Sequence, residues 1–256
     1  MKLVKGYPTK KHKLAAEKFV EIFSKDPRVM TILLTCSCAR GKACKDSCLD
    51  LNVLVKNEKD SDEMEKKFKK LDKSVKEFKE VKKVGAYTQI DFNVNSGNIV
   101  PKRRGWTSGP DDFELEIGNL LVYSVVLFDR DNYFNKIKKR YMPYYPEKLR
   151  KKRLKEVKNF LFNNLDHVPL YVKRKLYFQA FDRLYKSNQE FLQALFIKKK
   201  VYPIAYDKWI KEQFVEILKM PELYPQIVDI IQVKKLESDE MLKKYDKLMN
   251  LAKKYL

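Results

Sequence analysis

Residues 30–55 read MTILLTCSCARGKACKDSCLDLNVLV, and this stretch combines two strand-like runs with a polar interruption. Residues 28–35 and 48–55 are short and rich in aliphatic and β-branched side chains, which predicts two strands. The segment 36–47 between them is polar and begins with small residues, so it predicts a turn that leads into a helix. The chain therefore places a strand, a tight turn and a second strand that carries an acid, Asp50, in immediate succession.

The elements around this stretch alternate between helix and strand. Apolar residues at helical spacing predict helices over 12–24, 60–80 and 113–122. Residues 86–94 alternate polar and apolar side chains, which predicts a third strand, and 125–129 is expected to be an edge strand. We also expect a short strand after the turn at 95–98. A small mixed sheet with flanking helices, an α/β domain, follows from this order.

Helical patterns dominate the rest of the chain. They cover 131–140, 147–163, 169–199, 207–219, 222–233 and 238–255, with prolines between several of them. No convincing strand pattern follows residue 130. The predicted fold class is therefore α+β, with an α/β domain over residues 1–129 and an α-helical bundle over 130–256.

Positive charge is concentrated in the second half of the chain. The net charge is +21. Residues 1–128 carry 25 Lys and Arg against 18 Asp and Glu, which leaves 30 against 16 for residues 129–256. The densest run comprises Lys148, Arg150, Lys151, Lys152, Arg153, Lys155 and Lys158. Two interpretations stay open: a solvated helix face, or a surface that attracts polyphosphate or RNA.

Composition also bears on the location of the protein. No segment approaches the ~20 consecutive apolar residues of a membrane span, and the start, MKLVKGYPTKKHK, lacks the apolar core of a signal peptide. We therefore expect a cytoplasmic protein without membrane contact, whose cysteines are reduced. Charged residues make up 35% of the chain, and this Lys/Glu enrichment suggests a thermophilic source.

Cysteine and histidine allow a second kind of site. Cys36, Cys38, Cys44 and Cys48 form C-x-C-x₅-C-x₃-C. The usual paired knuckles of structural zinc sites are absent, so buried hydrophobic thiols are favoured over a metal centre. His12 and His167 lie far apart in sequence without a neighbouring nucleophile, and we expect surface or packing roles for both.

The stretch resembles the signature of polymerase-β superfamily nucleotidyltransferases, especially their minimal and kanamycin-type members. Those proteins carry a Gly-Ser turn followed by acids on the next strand. The residues that match at the right spacing are Ser37, Ala39, Arg40, Gly41, Ser47, Asp50 and Leu51. Asp91 stands where the family has a carboxylate on a later strand. The C-terminal half, particularly the stretch from Val201 to Trp209, is similar to the helical domain of these enzymes.

The resemblance implies transfer of a nucleoside monophosphate from an NTP, ATP foremost, to an unidentified acceptor with release of pyrophosphate. It implies Mg²⁺, or alternatively Mn²⁺, at the catalytic acids Asp50 and Asp91. The expected nucleotide contacts are Ser37, Arg40, Gly41 and Ser47, and the expected acceptor contacts are Tyr202, Lys208 and Trp209. The acceptor is expected between the two domains, where Asp91 or a carboxylate of the helical domain activates it.

The chemistry of these residue types agrees with that expectation. Backbone N–H groups in a small-residue turn bind anions, a Ser37 hydroxyl donates to phosphate, and Arg40 pairs with a phosphate oxygen. Positions 48 and 50 share one strand face because side chains alternate along a strand. Asp50 and a neighbouring-strand Asp91 are therefore expected to converge on one ion.

Two residues depart from the family pattern. Cys36 occupies the position of the turn glycine, which stiffens a turn that calls for positive φ. Cys48 occupies the position of the first metal-binding aspartate, and a thiol is a poor ligand for Mg²⁺. The alternative function is consequently a degenerate nucleotidyltransferase-like protein that binds nucleotide or RNA with weak turnover or none.

Overall fold

The structure, a computed structural model, describes residues 6–256. The chain divides into two compact units: one contains the chain up to Ile99 together with Ile117–Pro143, and the other contains Val100–Glu116 with Tyr144–Leu256. The sequence predicts a boundary between residues 129 and 130. In the structure, the segment 100–116 belongs to the second unit although it precedes that boundary, and the segment 130–143 belongs to the first unit although it follows it. The predicted domain limits stay a prediction, and each unit is described here by itself.

Elements of the α/β part follow the predicted order with shifted ends. In chain order they are α1 (Lys10–Phe23), β1 (Val29–Leu34), α2 (Cys36–Ala39), β2 (Leu49–Val55), a 3₁₀ turn (Glu58–Asp60), α3 (Ser61–Ser74), α4 (Lys76–Val81), β3 (Ile90–Asn95), α5 (Phe113–Ile117), a π-helical turn (Gly118–Val122) and β4 (Val125–Asp129).

The remaining elements are helical. They are α6 (Tyr133–Lys138), α7 (Glu147–Lys173), α8 (Tyr177–Lys199), α9 (Ile210–Glu212), a π-helical turn (Gln213–Ile217), α10 (Leu223–Ile231) and α11 (Glu240–Tyr255). No helix within residues 6–256 combines the length and the apolar composition that crossing a membrane requires.

The sheet has four strands in the order β3-β2-β1-β4. Strand β1 pairs antiparallel with β2 and with β4, whereas β2 and β3 are parallel. A mixed sheet with flanking helices, followed by the long helices α7, α8 and α11, confirms the predicted α+β class.

One face of the sheet is covered by α1, α3 and α4. Helix α1 buries Ala15, Phe19 and Phe23, which recur every four residues and so share one side of the helix. Phe19 and Phe23 stack with ring centroids 4.2 Å apart, and Phe19 also contacts Phe68 of α3 and Phe78 of α4. Each such ring contributes ~1.5–3 kcal/mol when fully buried, so this aromatic cluster fixes the helices on the sheet.

Three predicted elements differ from the structure. The helix expected over 60–80 is interrupted at Val75, whose extended backbone (φ −71°, ψ 128°) redirects α4 so that Phe78 and Val81 are buried. The strand expected over 86–94 begins only at Ile90, because residues 82–89 turn back toward the loop before β2. No strand is described within residues 96–112, so the short strand expected there is wrong.

Helices α7 and α8 form the centre of the second unit. Three residues separate them, and their shared core contains Leu161, Leu165, Leu184 and Phe191. The helices predicted over 147–163 and 169–199 are wrong at their junction, because α7 continues through Pro169. A proline removes one helical hydrogen bond. The loss falls near the end of α7, where burial of Val168 and Val172 keeps the helix packed.

The basic run on α7 is not a uniformly solvated face. Arg153 is 1% exposed, and its guanidinium donates to Asp111 at 2.7 and 2.8 Å and to Glu114 at 2.8 and 3.0 Å. Burial alone would lower the pKa of Arg153, but its hydrogen bonds to these carboxylates raise it above the ordinary value. This arginine is a structural cation, whereas Lys152 and Lys155 beside it are exposed.

Candidate active site

Two aspartates face each other across the parallel strands β2 and β3. Asp50 is the register partner of Asp91, and Asn52 is the partner of Asn93 two residues further on. Parallel neighbours lie ~4.8 Å apart and project side chains to the same face of the sheet. The buried residues on either side in sequence, such as Leu49 and Leu51, project to the opposite face. The structure therefore brings the two predicted acids together on one face of the sheet, at the side formed by β2 and the outer strand β3. This part of the face is called the polar edge below.

Asn52 and Asn93 extend this polar edge and were not singled out in the sequence. Asn93 Nδ2 donates to Asp91 Oδ1 at 3.4 Å, and Asn52 Nδ2 donates to Thr35 Oγ1 at 3.0 Å. The signal that points to them is parity, since polar residues two apart on each strand share the face of the acids. The amides add hydrogen-bonding groups on that face without adding charge.

The turn after β1 is fastened to the start of β2. Thr35, which is 2% exposed, donates its backbone N–H to Asp50 O at 3.0 Å and its hydroxyl to the same oxygen at 3.4 Å. Ser37 follows two residues later and is half-buried. The turn that the sequence predicts to hold phosphate thus lies beside the strand position of Asp50.

Cys36 adopts a left-handed backbone conformation at the position where the resembling family has glycine. Its φ is +54°, and Gly41 at the end of the same turn has φ +67°. A left-handed residue with a Cβ atom costs roughly 1–2 kcal/mol relative to right-handed backbone. The turn therefore keeps the geometry that suits glycine, and Cys36 bears the strain.

Cys48 precedes Asp50 by two residues, and its thiol is within hydrogen-bonding distance of a backbone oxygen. Cys48 Sγ donates to Tyr87 O at 3.5 Å, and Cys38 Sγ donates to Cys48 O at 3.6 Å. Burial, and then the nearby groups Asp50, Cys36 and Cys48, raise the pKa of Cys38 to about 12. Cys38 is therefore a protonated thiol near neutral pH and packs as a small buried residue.

His12 holds the loop before β2 and has a packing role. It is fully buried, with Nε2 3.0 Å from Ser47 O and Nδ1 2.8 Å from Thr9 Oγ1. A carbonyl oxygen only accepts, so Nε2 carries the hydrogen of its contact with Ser47 O. Ser47 Oγ accepts from Cys44 N at 3.0 Å, and its contact with Cys44 Sγ lowers the pKa of that thiol.

The other predicted nucleotide contact, Arg40, is largely inside the first unit. It is 6% exposed and follows α2 as its C-cap residue. Its predicted role in phosphate binding, like those of Ser37, Gly41 and Ser47, stays a prediction.

The acceptor candidates belong to the second unit and have different surroundings. Tyr202 is 2% exposed, accepts from Tyr145 N at 3.2 Å and stacks on Tyr144 with centroids 4.6 Å apart. Lys208 is exposed, and Trp209 is 37% exposed with φ +58° at the start of α9. Tyr202 is thus a core residue, and the role of all three at an acceptor stays a prediction.

Protein ligands for a metal ion are few on the polar edge. Within residues 6–256, no group of three or more His, Cys, Asp or Glu side chains is arranged to hold a metal ion. Mg²⁺ in phosphoryl-transfer sites is commonly bound by one or two carboxylates, with substrate phosphates and water completing its oxygen shell. Asp50 and Asp91 fit such a two-carboxylate site, and the thiol of Cys48 adds no hard oxygen ligand.

Comparison with known proteins gives likeness to solved structures alone. No family model matches the chain, and no curated protein matches it. A solved structure, that of a nucleotidyltransferase-like protein from Exiguobacterium sibiricum, is 13% identical in sequence. The match covers 94% of this chain and 74% of that one, with a TM-score of 0.47. Likeness at this level assigns neither a family nor an activity.

Proposed function

We propose that this protein is a metal-dependent nucleotidyltransferase that transfers a nucleoside monophosphate from an NTP to a hydroxyl or similar acceptor. The observation that carries the proposal is the register pair Asp50 and Asp91 on one face of β2 and β3. Two like charges held this close repel each other, and a cation bound between them removes that cost. The turn that contains Ser37 is fastened to the same strand, which supports a triphosphate site beside the acids.

Asp50 and Asp91 would hold Mg²⁺ or Mn²⁺ through carboxylate oxygens. The bound ion would neutralise charge on the triphosphate and on the leaving pyrophosphate. Ser37 would donate its hydroxyl to a phosphate oxygen, and Arg40 would add positive charge behind the turn. ATP is the nucleotide we expect first.

The transfer requires one bond to form and one to break. The acceptor oxygen forms a bond to the α-phosphorus, the bond from that phosphorus to the bridging oxygen breaks, and pyrophosphate leaves. The acceptor proton passes to a carboxylate, for which Asp91 is the proposed base because it is the more exposed of the two acids. Tyr202, Lys208 and Trp209 stay the proposed acceptor contacts.

Pyrophosphate release tests the proposal. The wild-type protein is incubated with each NTP and Mg²⁺ or Mn²⁺, with single-stranded RNA, aminoglycosides and hydroxyl-bearing proteins as acceptors. We expect metal-dependent release of pyrophosphate with at least one combination of NTP and acceptor. The rate of release should fall roughly 100-fold or more in Asp50→Asn and Asp91→Asn. Asp131→Asn is the matched control, because Asp131 is exposed and its φ of +53° suits asparagine.

A second function is favoured by one observation, the thiol at position 48. Cys48 Sγ contacts Tyr87 O, and no third carboxylate completes the edge within the described chain. This arrangement favours a protein that binds nucleotide without turnover. Suppose that the protein binds NTP in a metal-dependent way but releases no pyrophosphate with any combination of NTP and acceptor. That result would contradict the proposed nucleotide transfer and support nucleotide binding without turnover.

A further inference from the structure

The second unit carries a groove between the loop that begins at residue 101 and helix α7. Two cavities of about 640 and 430 Å³ line this region, and both are bordered by Arg103, Glu156 and Asn159. Because they share these residues, the two cavities form one groove. A third, smaller cavity of about 210 Å³ also borders Arg103, but it is lined by Asp111, Asp112 and Glu116 and is not part of the groove.

Positive charge dominates the walls of this groove. Arg103, Lys152 and Lys155 are exposed, and among residues 6–256 no ion pair or hydrogen bond occupies their side chains. Lys102 is at the rim and pairs with Glu116 at 3.4 Å. Glu156 is the acid that lines the two larger cavities. The groove therefore offers an anionic chain several cations that have no partner among the described residues.

An exposed tryptophan lies in the same groove. Trp106 is 57% exposed, and its ring centroid lies 4.7 Å from that of Phe160, which is 7% exposed. Asn163 Nδ2 donates to Trp106 O at 3.4 Å. One side of the indole is thus supported by the protein while much of its surface faces solvent, which is the arrangement of a stacking platform.

The loop that presents Arg103 and Trp106 is anchored from below by Arg104. The side chain of Arg104 is 5% exposed, and its guanidinium carbon lies 3.9 Å above the ring of Phe160. It pairs with Glu190 at 3.5 Å and with Asp111 at 3.6 Å, and it donates to Gly109 O. A buried anchor of this kind lowers the entropy that the exposed loop residues lose on binding.

We propose that this groove binds single-stranded nucleic acid, with an unpaired base stacked on Trp106 and phosphates on Arg103, Lys152 and Lys155. A duplex hides the faces of its bases, and free polyphosphate has no base to place on the indole. The combination of exposed aromatic and cations therefore favours a single strand over either of those polyanions. The proposal goes beyond nucleotide transfer and does not depend on it.

Fluorescence anisotropy with a labelled single-stranded oligoribonucleotide tests the proposal. We expect Trp106→Ala to weaken binding roughly 5- to 150-fold, and Trp106→Phe to recover most of the loss. The variant Arg103→Ala/Lys152→Ala/Lys155→Ala should weaken binding and reduce the salt dependence, by about 0.7 in log–log slope for each phosphate that the variant no longer neutralises. Removal of the exposed Lys173, Lys243 and Lys253 is the matched control for charge and should change binding much less.

Several outcomes would overturn the proposal. They are the absence of binding at low salt, wild-type affinity in Trp106→Ala, and equal competition by inorganic polyphosphate or by a duplex of the same sequence. Circular dichroism checks that the variants are folded, and the charge variant tests the groove even where Trp106→Ala is unstable. Asp91→Asn should bind the oligonucleotide as the wild type does, so failure of the transferase proposal is distinguishable from failure of this one.

Discussion

The protein contains two pairs of acids whose surroundings are opposite. In the second unit, the side chains of Asp111 and Glu114 are 7% and 0% exposed. Glu114 accepts hydrogen bonds from Arg153, from Tyr145 at 2.7 Å and from Gln193 at 2.9 Å. In the first unit, the Asp50–Asp91 pair lies at the surface of the sheet, and the exposed Asp91 accepts from Asn93 at 3.4 Å.

The difference separates acids that hold the fold from acids that we propose serve a site. A buried carboxylate is tolerated only when cations and donors replace its water, and Arg153 does so for Asp111 and Glu114. Asp50 and Asp91 share one face of β2 and β3, and two carboxylates in that arrangement favour a cation between them.

The largest effect is expected where the buried acids lose their main cation. Arg153→Met should lower the free energy of unfolding by about 3–5 kcal/mol, because it leaves buried charge without its principal partner. Lys152→Met on the same helix is the control and should change stability by roughly 0.5 kcal/mol or less. Urea unfolding measures both, and an equal effect of the two substitutions would contradict the structural role of Arg153.

A third carboxylate at the surface edge sharpens the comparison. Cys48→Asp removes the thiol contact with Tyr87 O and adds a like charge, so the metal-free variant should lose about 1–3 kcal/mol. With saturating Mg²⁺ the variant should recover stability and bind NTP more tightly than the wild type, because Mg²⁺ prefers oxygen ligands. Melting curves with and without Mg²⁺ and Mn²⁺ test this. If no metal-dependent stabilisation appears, position 48 is not a metal position.

Glu190 is buried beside Arg104, which also pairs with Asp111, and it should make the free energy of unfolding depend on pH. Burial raises the pKa of Glu190 to about 7, while a hydrogen bond from Asn164 and the charge of Arg104 lower it in part. Between its ordinary pKa and about 7, the folded state binds a proton that the unfolded state releases, so stability falls as pH rises.

The stability of the wild type should therefore fall relative to Glu190→Gln by up to about 1.4 kcal/mol per pH unit over that interval. Unfolding free energies of both proteins from about pH 5 to pH 7 measure this effect. A constant difference across the range would show that Glu190 does not titrate there.

The smallest effect concerns the turn beside Asp50. Cys36→Gly should increase stability by about 0.5–1 kcal/mol, since glycine adopts positive φ without the Cβ penalty but orders more backbone on folding. Cys44→Gly is the matched control, because Cys44 is exposed and is not among the residues with positive φ. It should lower stability or leave it unchanged. Equal effects at both positions would remove the strain assigned to Cys36.

Features with a local pattern could be predicted from the sequence. Strand parity placed Asp50 on the face opposite Leu49 and Leu51, and the α+β class followed from the change of element type near residue 130. These two predictions use only neighbouring residues, whose geometry is set by the strand or the helix itself. Asp91, in contrast, was predicted from the family resemblance, which implies a carboxylate on a later strand.

Features that join distant residues could not be predicted. Arg153 and Glu114 are 39 positions apart, and His12 is 35 positions from Ser47. A basic run therefore looked uniformly exposed although one member is buried, and α7 passed a proline that local rules treat as a stop. In both cases, contacts with residues distant in sequence stabilise the observed structure, and such contacts cannot be predicted from a local pattern.

Binding of a non-hydrolysable ATP analogue, measured by calorimetry in the presence and absence of Mg²⁺, tests most directly whether Asp50 and Asp91 form a metal-assisted nucleotide site. Wild-type protein should bind the analogue with Mg²⁺, and Asp91→Asn should bind about 10-fold or more weakly, since loss of a direct ligand costs at least as much as loss of an outer partner. Without Mg²⁺, Asp91→Asn should not bind the analogue more weakly than the wild type does. Asp131→Asn should match the wild type with and without Mg²⁺. Equal affinity of wild type and Asp91→Asn in the presence of Mg²⁺ would contradict the assignment of the site.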